Sequence, residues 1–159
     1  MQWAHLKDRP DLIPKLAELC GREWSHLYEN WNTDTAIREF EASRTDGQLP
    51  ITLIAMEGEE LLGTVSIVRN DLPGREDLNP WLASLLVLPE QRGKRVATFL
   101  VRQAESFLAQ LGFTEAFLFT EAAGGFFQKL GWGSYESAET NGHAVMIFRK
   151  VLGKRTAQG

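Results

Sequence analysis

Six consecutive residues, Arg92-Gly93-Lys94-Arg95-Val96-Ala97, carry the most informative chemistry of this chain. They stand between an apolar run that ends near Pro89 and a strongly periodic helical segment. A helix N-terminus already holds about half a positive charge and several unpaired N–H groups, so an isolated helix prefers Asp or Glu there. Arg92, Lys94 and Arg95 in that turn are unfavourable unless an anion lies against them. A helix start approached through glycine is a ready phosphate site, because its N–H groups and its dipole both favour negative charge. The turn therefore implies a phosphate-bearing ligand. A solvated basic patch or a nucleic-acid contact is the competing reading, and the position of the cations at a helix start favours the phosphate.

The elements around this turn are legible from periodicity. Val96, Phe99, Leu100, Ala104, Phe107, Leu108 and Leu111 recur at helical spacing between Lys94 and Leu111, and Gly112 follows as a stop signal. Trp81 to Leu88 and Phe113 to Thr120 have solid apolar centres, as strands covered on both faces do. A strand, a helix and a second strand in this order make a right-handed parallel crossover. Upstream, Leu12, Ile13, Leu16, Leu19 and Cys20 predict a helix with Asp8 or Asp11 as its cap. A second helix opens near Thr33 with Ile37 and Phe40 facing inward. Ile51–Met56 and Leu61–Val68 read as a hairpin, and residues 70–80 as a loop. Gly125–Leu130 reads as a short helix. Asn141-Gly142 predicts a two-residue turn between Tyr135–Thr140 and His143–Lys150. The sum is an α/β fold: a mixed, mostly antiparallel sheet with one central parallel pair, flanked by helices. It forms a single domain over residues 1–152, with a flexible tail at 153–159.

Bulk properties set the outer limits. The chain has 159 residues and a net charge of −4 with acids and bases interspersed, which argues against a nucleic-acid footprint. Five Trp, two Tyr and nine Phe suffice for a substantial core. The single cysteine, Cys20, excludes an internal disulfide and reads as a buried, inert thiol on a helix stripe. No apolar leader and no membrane-length segment is evident, so the expected setting is cytoplasmic, without a membrane partner. His5, His26 and His143 are scattered and show no metal-ligand spacing, so no metal is expected. Ser84 lacks the surroundings of a nucleophile elbow.

With these elements in place the chain resembles the GNAT superfamily of acyl-CoA-dependent N-acyltransferases, most closely from Pro80 to Trp132. The family's fingerprint is Gln or Arg, two residues, Gly, one residue, then Gly or Ala; here it falls on Arg92, Arg95 and Ala97. Val87-Leu88-Pro89-Glu90 and the run Phe126-Phe127-Gln128-Lys129-Leu130-Gly131-Trp132 are also in the family's style. The resemblance implies acetyl-CoA as co-substrate and a small-molecule or peptide amine as acceptor. Backbone N–H groups of Arg92, Gly93, Lys94, Arg95, Val96 and Ala97 would bind the pyrophosphate, and the main chain of Leu85, Leu86 and Val87 the pantetheine arm. The family's two parallel strands diverge to leave a slot for that arm. An N–H there would polarise the thioester carbonyl, a contribution of about 3 kcal/mol.

Two departures stand out. Arg95 replaces the usual central glycine of the fingerprint. Phe127, placed against the cofactor, stands where many relatives carry a tyrosine that protonates the departing thiolate. Tyr135 is a remote substitute. Glu121, just past the second parallel strand, and Glu76 and Asp77 in the loop before the first, are the carboxylates available to deprotonate or attract an amine. Trp81, Tyr28 and Trp31 are candidates for the acceptor pocket, with Trp24 beside them. The reading is an N-acetyltransferase working by direct attack in a ternary complex, as monomer or homodimer. Its alternative is an acyl-CoA-binding or regulatory module of the same fold that has lost turnover.

Overall fold

The computed structural model describes residues 1–153. The expected tail therefore lies, except for Gly153, outside the described residues. One seven-stranded sheet organises the rest in the order β1-β2-β3-β4-β5-β7-β6. The strands are β1 (Gln2–His5), β2 (Ile51–Glu57), β3 (Glu60–Val68), β4 (Trp81–Val87), β5 (Glu115–Thr120), β6 (Gly133–Thr140) and β7 (His143–Val151). Four α-helices accompany them: α1 (Ile13–Trp24), α2 (Thr33–Glu41), α3 (Val96–Gln110) and α4 (Gly124–Lys129). Every neighbouring pair is antiparallel except β4 with β5.

Alternation along the strands divides the core in two. Ile51, Leu53 and Ala55 of β2 join Val96, Leu100, Val101, Ala104 and Leu108 of α3 on one side of the sheet. Ile54 and Met56 join Leu16, Ala17 and Cys20 of α1 on the other. The α3 stripe differs from the periodicity at three points: Val101, not among the expected residues, is fully buried, Phe99 and Phe107 are only partly buried, and Leu111 at the end is 37% exposed. The chain leaves the helix there, at Gly112 with φ 94°, so Leu111 lies beyond the last turn that the sheet covers.

Three local expectations need correction. The first is β1, which pairs Gln2–His5 with Leu53–Met56. Four residues with Trp3 40% exposed carry too little alternation to be read as a strand. The edge of β2 supplies the pairing instead. The second is the cap of α1. Leu12 occupies the N-cap position without a side-chain bond, because both oxygens of Asp11 are taken by the Arg9 guanidinium at 3.1 and 3.0 Å. Asp8 does not cap α1 either. The third is β6, which begins at Gly133 rather than Tyr135. By contrast Asn141 and Gly142 adopt φ 48° and 78°, as the predicted two-residue turn requires.

Gly63 of β3 sets the spacing between sheet and α3. A methyl group there would meet the Leu86 carbonyl oxygen at 2.6 Å and side-chain carbons of Leu100 and Val96 at 3.2 Å. The backbone carbonyl cannot withdraw without breaking the β3–β4 ladder, so the contact is repulsive. Gly63→Ala is predicted to destabilise the fold by about 1–3 kcal/mol, the usual range for overpacking. Denaturant unfolding measures it, with the loss appearing in the midpoint rather than the slope.

Candidate active site

The central parallel pair is joined only where it begins. Trp81 is the one β4 residue registered against β5, opposite Phe117, and Phe117 N–H donates to Pro80 O at 3.0 Å. Beyond this point each strand follows its other neighbour. β4 stays with β3, and Leu88 N–H donates to Leu62 O at 3.0 Å. β5 stays with β7 from Glu115↔Val151 to Thr120↔Met146. A bulge drives the divergence. The β3–β4 register slips between Ser66↔Ala83 and Thr64↔Leu86, and Ser84 takes φ 53° in mid-strand. A left-handed non-glycine residue costs on the order of 1–3 kcal/mol and bends the strand that holds it.

The gap is a cleft of about 730 Å³ lined by Leu85, Leu86 and Val87 on the β4 side and by Leu118 to Ala123 on the β5 side. Its end is closed by the turn before α3, where Arg92, Gly93, Arg95, Val96, Ala97 and Thr98 line the wall. Gly93 and Arg95 both have positive φ, 82° and 64°. Arg95 thus adopts the left-handed conformation that glycine takes more cheaply, and it stands as N-cap of α3 with no side-chain cap. The first N–H of α3 with an intrahelical partner is that of Phe99, bonded to Arg95 O at 3.1 Å. Those of Val96, Ala97 and Thr98 precede it and have no carbonyl one turn back. Arg92 leans toward Glu23 of α1, with N and O 3.9 Å apart. Lys94 turns away, donating to Gln91 Oε1 at 3.0 Å, and does not line the cleft. The remaining wall, two cations and a helix start, can hold a phosphate.

A second pocket of about 500 Å³ opens from the cleft and shares Trp24, Tyr28, Asp71, Ala83 and Ser84 with it. Trp31 forms part of its wall, its ring 5.5 Å from that of Tyr28. Gly21 makes this possible, because a Cβ at that helix position would sit 2.7 Å from the Trp31 indole nitrogen. Glu39 and Asp71 put carboxyl groups into this aromatic surround. Burial raises the Glu39 carboxyl above its ordinary range. Burial, with Glu39 adding a like charge, pushes the Asp71 carboxyl up to about 7. The Tyr28 phenol is raised too, first by burial and then by Asp71 and Glu39, so it stays protonated. Two carboxylates that resist ionisation beside three aromatic rings are arranged for a cation.

The structure sorts the sequence-predicted carboxylates and aromatics. Glu121 lines the cleft. Asp77 does not: both its oxygens accept from Arg75 at 3.1 Å, which holds its carboxyl below the usual range. Glu76 accepts from Gly74 N–H at 3.2 Å in the same loop and lines neither pocket. Trp81 is fully buried with Phe117 and Ile147, and its indole donates to Leu78 O at 2.6 Å; it lies outside both pockets. Tyr28 lines both pockets and Trp31 the second. Phe127 lines the cleft with its ring against Phe126, Trp132 and Phe148. Tyr135 packs edge-on to Phe117 and is not a cleft residue. Sequence reading missed Asp71 and Glu39. Asp71 sits at the start of a loop rich in other acids, and Glu39 on a helix face that looks solvated. The histidines are not scattered in space either: His26 and His143 meet at Glu121.

A family model described as the acetyltransferase (GNAT) family matches residues 14–132, and the chain belongs to that family. An aminoglycoside 6'-N-acetyltransferase complexed with coenzyme A superposes with a TM-score of 0.75 at 18% identity, covering 98% of this chain and 99% of that one. The yncA protein of Salmonella typhimurium, solved with its cofactor acetyl-CoA, gives 0.68 at 15% identity, with 94% of each chain covered. A spermidine N-acetyltransferase chimera with Vibrio cholerae sequence gives 0.69 at 15% identity, covering 96% of this chain and 97% of that one. No curated protein sequence matches significantly. Among the described residues no helix is long and apolar enough to cross a membrane.

Asp71 also makes a prediction about stability. Its carboxyl titrates near 3.8 when unfolded and about 7 when folded. Between those values the folded chain keeps a proton that the unfolded chain has lost. Stability therefore falls as pH rises from about 4 to about 7. Denaturant titrations across this window are predicted to show Asp71→Asn losing less stability with rising pH than the wild type. Glu39 gives a trend of the same sign in both proteins, so the variant keeps part of the slope.

Proposed function

We propose that the chain is an N-acetyltransferase that moves an acetyl group from acetyl-CoA to the primary amine of a small cationic molecule, by direct attack in a ternary complex. The observation that carries this reading is the joining of two pockets of opposite character. One is a splayed-strand cleft ending in a cationic helix start. The other is an aromatic pocket with two high-pKa carboxylates.

The residues divide the work accordingly. Arg92, Arg95 and the N–H groups of Val96, Ala97 and Thr98 hold the pyrophosphate. The main chain of Leu85, Leu86 and Val87 aligns the pantetheine arm, with Phe127 packed beside it. The co-substrate supplies a thioester, whose carbonyl is reactive and whose thiolate leaves without much assistance. An alkylammonium has a pKa near 10 and must lose a proton before it attacks. Glu39 and Asp71 attract the ammonium, and Asp71, lining both pockets and poised near neutral pH, accepts the proton. Trp24, Tyr28 and Trp31 shield it from water. Glu121, on the facing lip, contributes charge to the acceptor's path.

A second reading, a coenzyme A-binding module without turnover, is favoured by one observation. The place of the usual proton donor is held by Phe127, whose phenyl ring is 6% exposed and has no proton to give. Acetyl-CoA raises the melting temperature under both readings. Only the enzyme releases free coenzyme A thiol when an amine panel is added. Stabilisation without release for any amine decides for the module.

Two variants test the division of labour. Asp71→Asn is expected to lower kcat/KM by roughly 10²–10⁴-fold, the usual scale of general base catalysis, while leaving the acetyl-CoA melting shift intact. In the wild type kcat/KM rises with pH through about 7, and the variant lacks that limb. Arg95→Gly removes a left-handed strain of about 1–2 kcal/mol but adds unfolded-state freedom. Its stability is expected to stay within about 1 kcal/mol of wild type. Its coenzyme A dissociation constant rises roughly fivefold at low salt, an effect that shrinks at high salt.

A further inference from the structure

Three segments far apart in sequence converge on Glu121, a residue of the cleft wall. His26 comes from the short 3-10 turn Ser25–Leu27 after α1, Glu121 from the end of β5, and His143 from the start of β7. His26 Nε2 lies 2.5 Å from Glu121 Oε1, and His143 Nδ1 lies 3.5 Å from Glu121 Oε2. One ligand-capable atom from each residue lies within 4.8 Å of the other two. The two imidazole rings are edge-to-face, with centroids 5.0 Å apart.

A simple hydrogen bond accounts for one imidazole and not for the other. His26 alone satisfies one carboxylate oxygen. His143 stands at 3.5 Å, too long for a strong bond to a carboxylate and close to a co-ligand spacing. Around a tetrahedral zinc ion with bonds of about 2.0–2.1 Å, ligand atoms are about 3.3–3.4 Å apart. Opening the His26–Glu121 contact by about 1 Å, and drawing in those ligand atoms that now stand up to 4.8 Å apart, gives that arrangement and leaves a fourth position for water. Two imidazoles and one carboxylate suit zinc-like ions and not magnesium or calcium, which favour all-oxygen sets.

The backbone holding these side chains is fixed. Asn141 Nδ2 donates to His26 O at 2.8 Å, Thr140 Oγ1 donates to Leu27 O at 3.0 Å, and Ala123 N–H donates to Thr120 Oγ1 at 3.1 Å. The first two bonds latch the His26 turn onto the hairpin that presents His143. The third closes the turn that presents Glu121. Meanwhile the side chains of His26, Glu121 and His143 are 43%, 32% and 42% exposed, open to an ion from solvent.

We propose that His26, Glu121 and His143 form a site for a divalent transition-metal ion, zinc foremost, beside the cleft. An ion there clamps the α1 wall, β5 and the final hairpin together. Because Glu121 also lines the cleft, the ion takes that carboxylate's charge away from an incoming ammonium and slows transfer. This last consequence rests on the acetyltransferase reading; the site itself does not.

The test uses tag-free, chelator-treated full-length protein. Calorimetric titration with zinc chloride is expected to show one ion per chain, and thermal unfolding a raised midpoint, with magnesium chloride giving neither. His26→Ala and His143→Ala are each expected to weaken zinc binding by more than about tenfold. His5→Ala, which alters a histidine packed between Trp3 and Phe107 elsewhere, is expected to bind like wild type. His143→Gln, folded as judged by circular dichroism, serves if the alanine variant unfolds. No one-to-one zinc binding, or wild-type affinity in a folded His143 variant, overturns the site. Coenzyme A release with no zinc binding overturns the site and spares the acetyltransferase reading. Zinc binding with no release for any amine does the reverse.

Discussion

Backbone hydrogen bonding cannot be satisfied across the centre of this sheet, and the rest of the structure is arranged around that fact. β4 keeps β3 as its partner to the end, while β5 keeps β7. After Trp81↔Phe117, the inner edges of the two strands face a gap instead of each other. Main-chain donors and acceptors in such a position must find another partner, since an unpaired buried one costs as much as a lost hydrogen bond. An extended chain carrying amide groups meets that demand. The positive φ at Ser84 is the local cost of holding the strands apart, and the packing of α3 against Gly63 fixes how far the β4 side can relax.

The turn before α3 follows the same logic at higher charge. A helix start with Arg92 and Arg95 lining its approach is electrostatically frustrated by itself. Placed at the mouth of a split sheet, it is suited to hold one end of a long anionic ligand. Arg95 takes a left-handed conformation that glycine adopts at less cost, and it adds a cation to the turn. The opposite end of the molecule has the opposite problem. Asp71 and Glu39 are carboxylates held where ionisation is costly. The two ends call for partners of opposite sign, and they meet at Ser84.

Most of the scaffold was legible in the sequence, because the elements that build it obey a single period. The α3 stripe, the two buried strands and the Asn141-Gly142 turn each carry their instruction locally. β1 did not, because a four-residue edge strand takes its structure from β2. The α1 cap did not, because the choice of Asp11 between helix and Arg9 is a contest of geometry. The walls of the cleft were legible for the same reason as the scaffold: a strand, a turn and a helix lie consecutively in the chain. The adjoining pocket is assembled from Trp24, Tyr28, Glu39, Asp71 and Ser84, which no spacing rule connects. Trp81 and Asp77 had the right types in the right neighbourhood, yet an indole bond to Leu78 and a fork to Arg75 hold them elsewhere.

Cys20 gains a use from its position on α1. Its thiol is 2% exposed, and burial pushes its pKa up to about 12, so almost none of it is thiolate at neutral pH. Thiolate is the species that disulfide reagents consume, and the folded chain holds no other sulfhydryl. A chromogenic disulfide added to a reaction mixture therefore sees a protein that is optically silent. Any thiol released from an added thioester would be read without a contribution from the chain, and without blocking or replacing any residue.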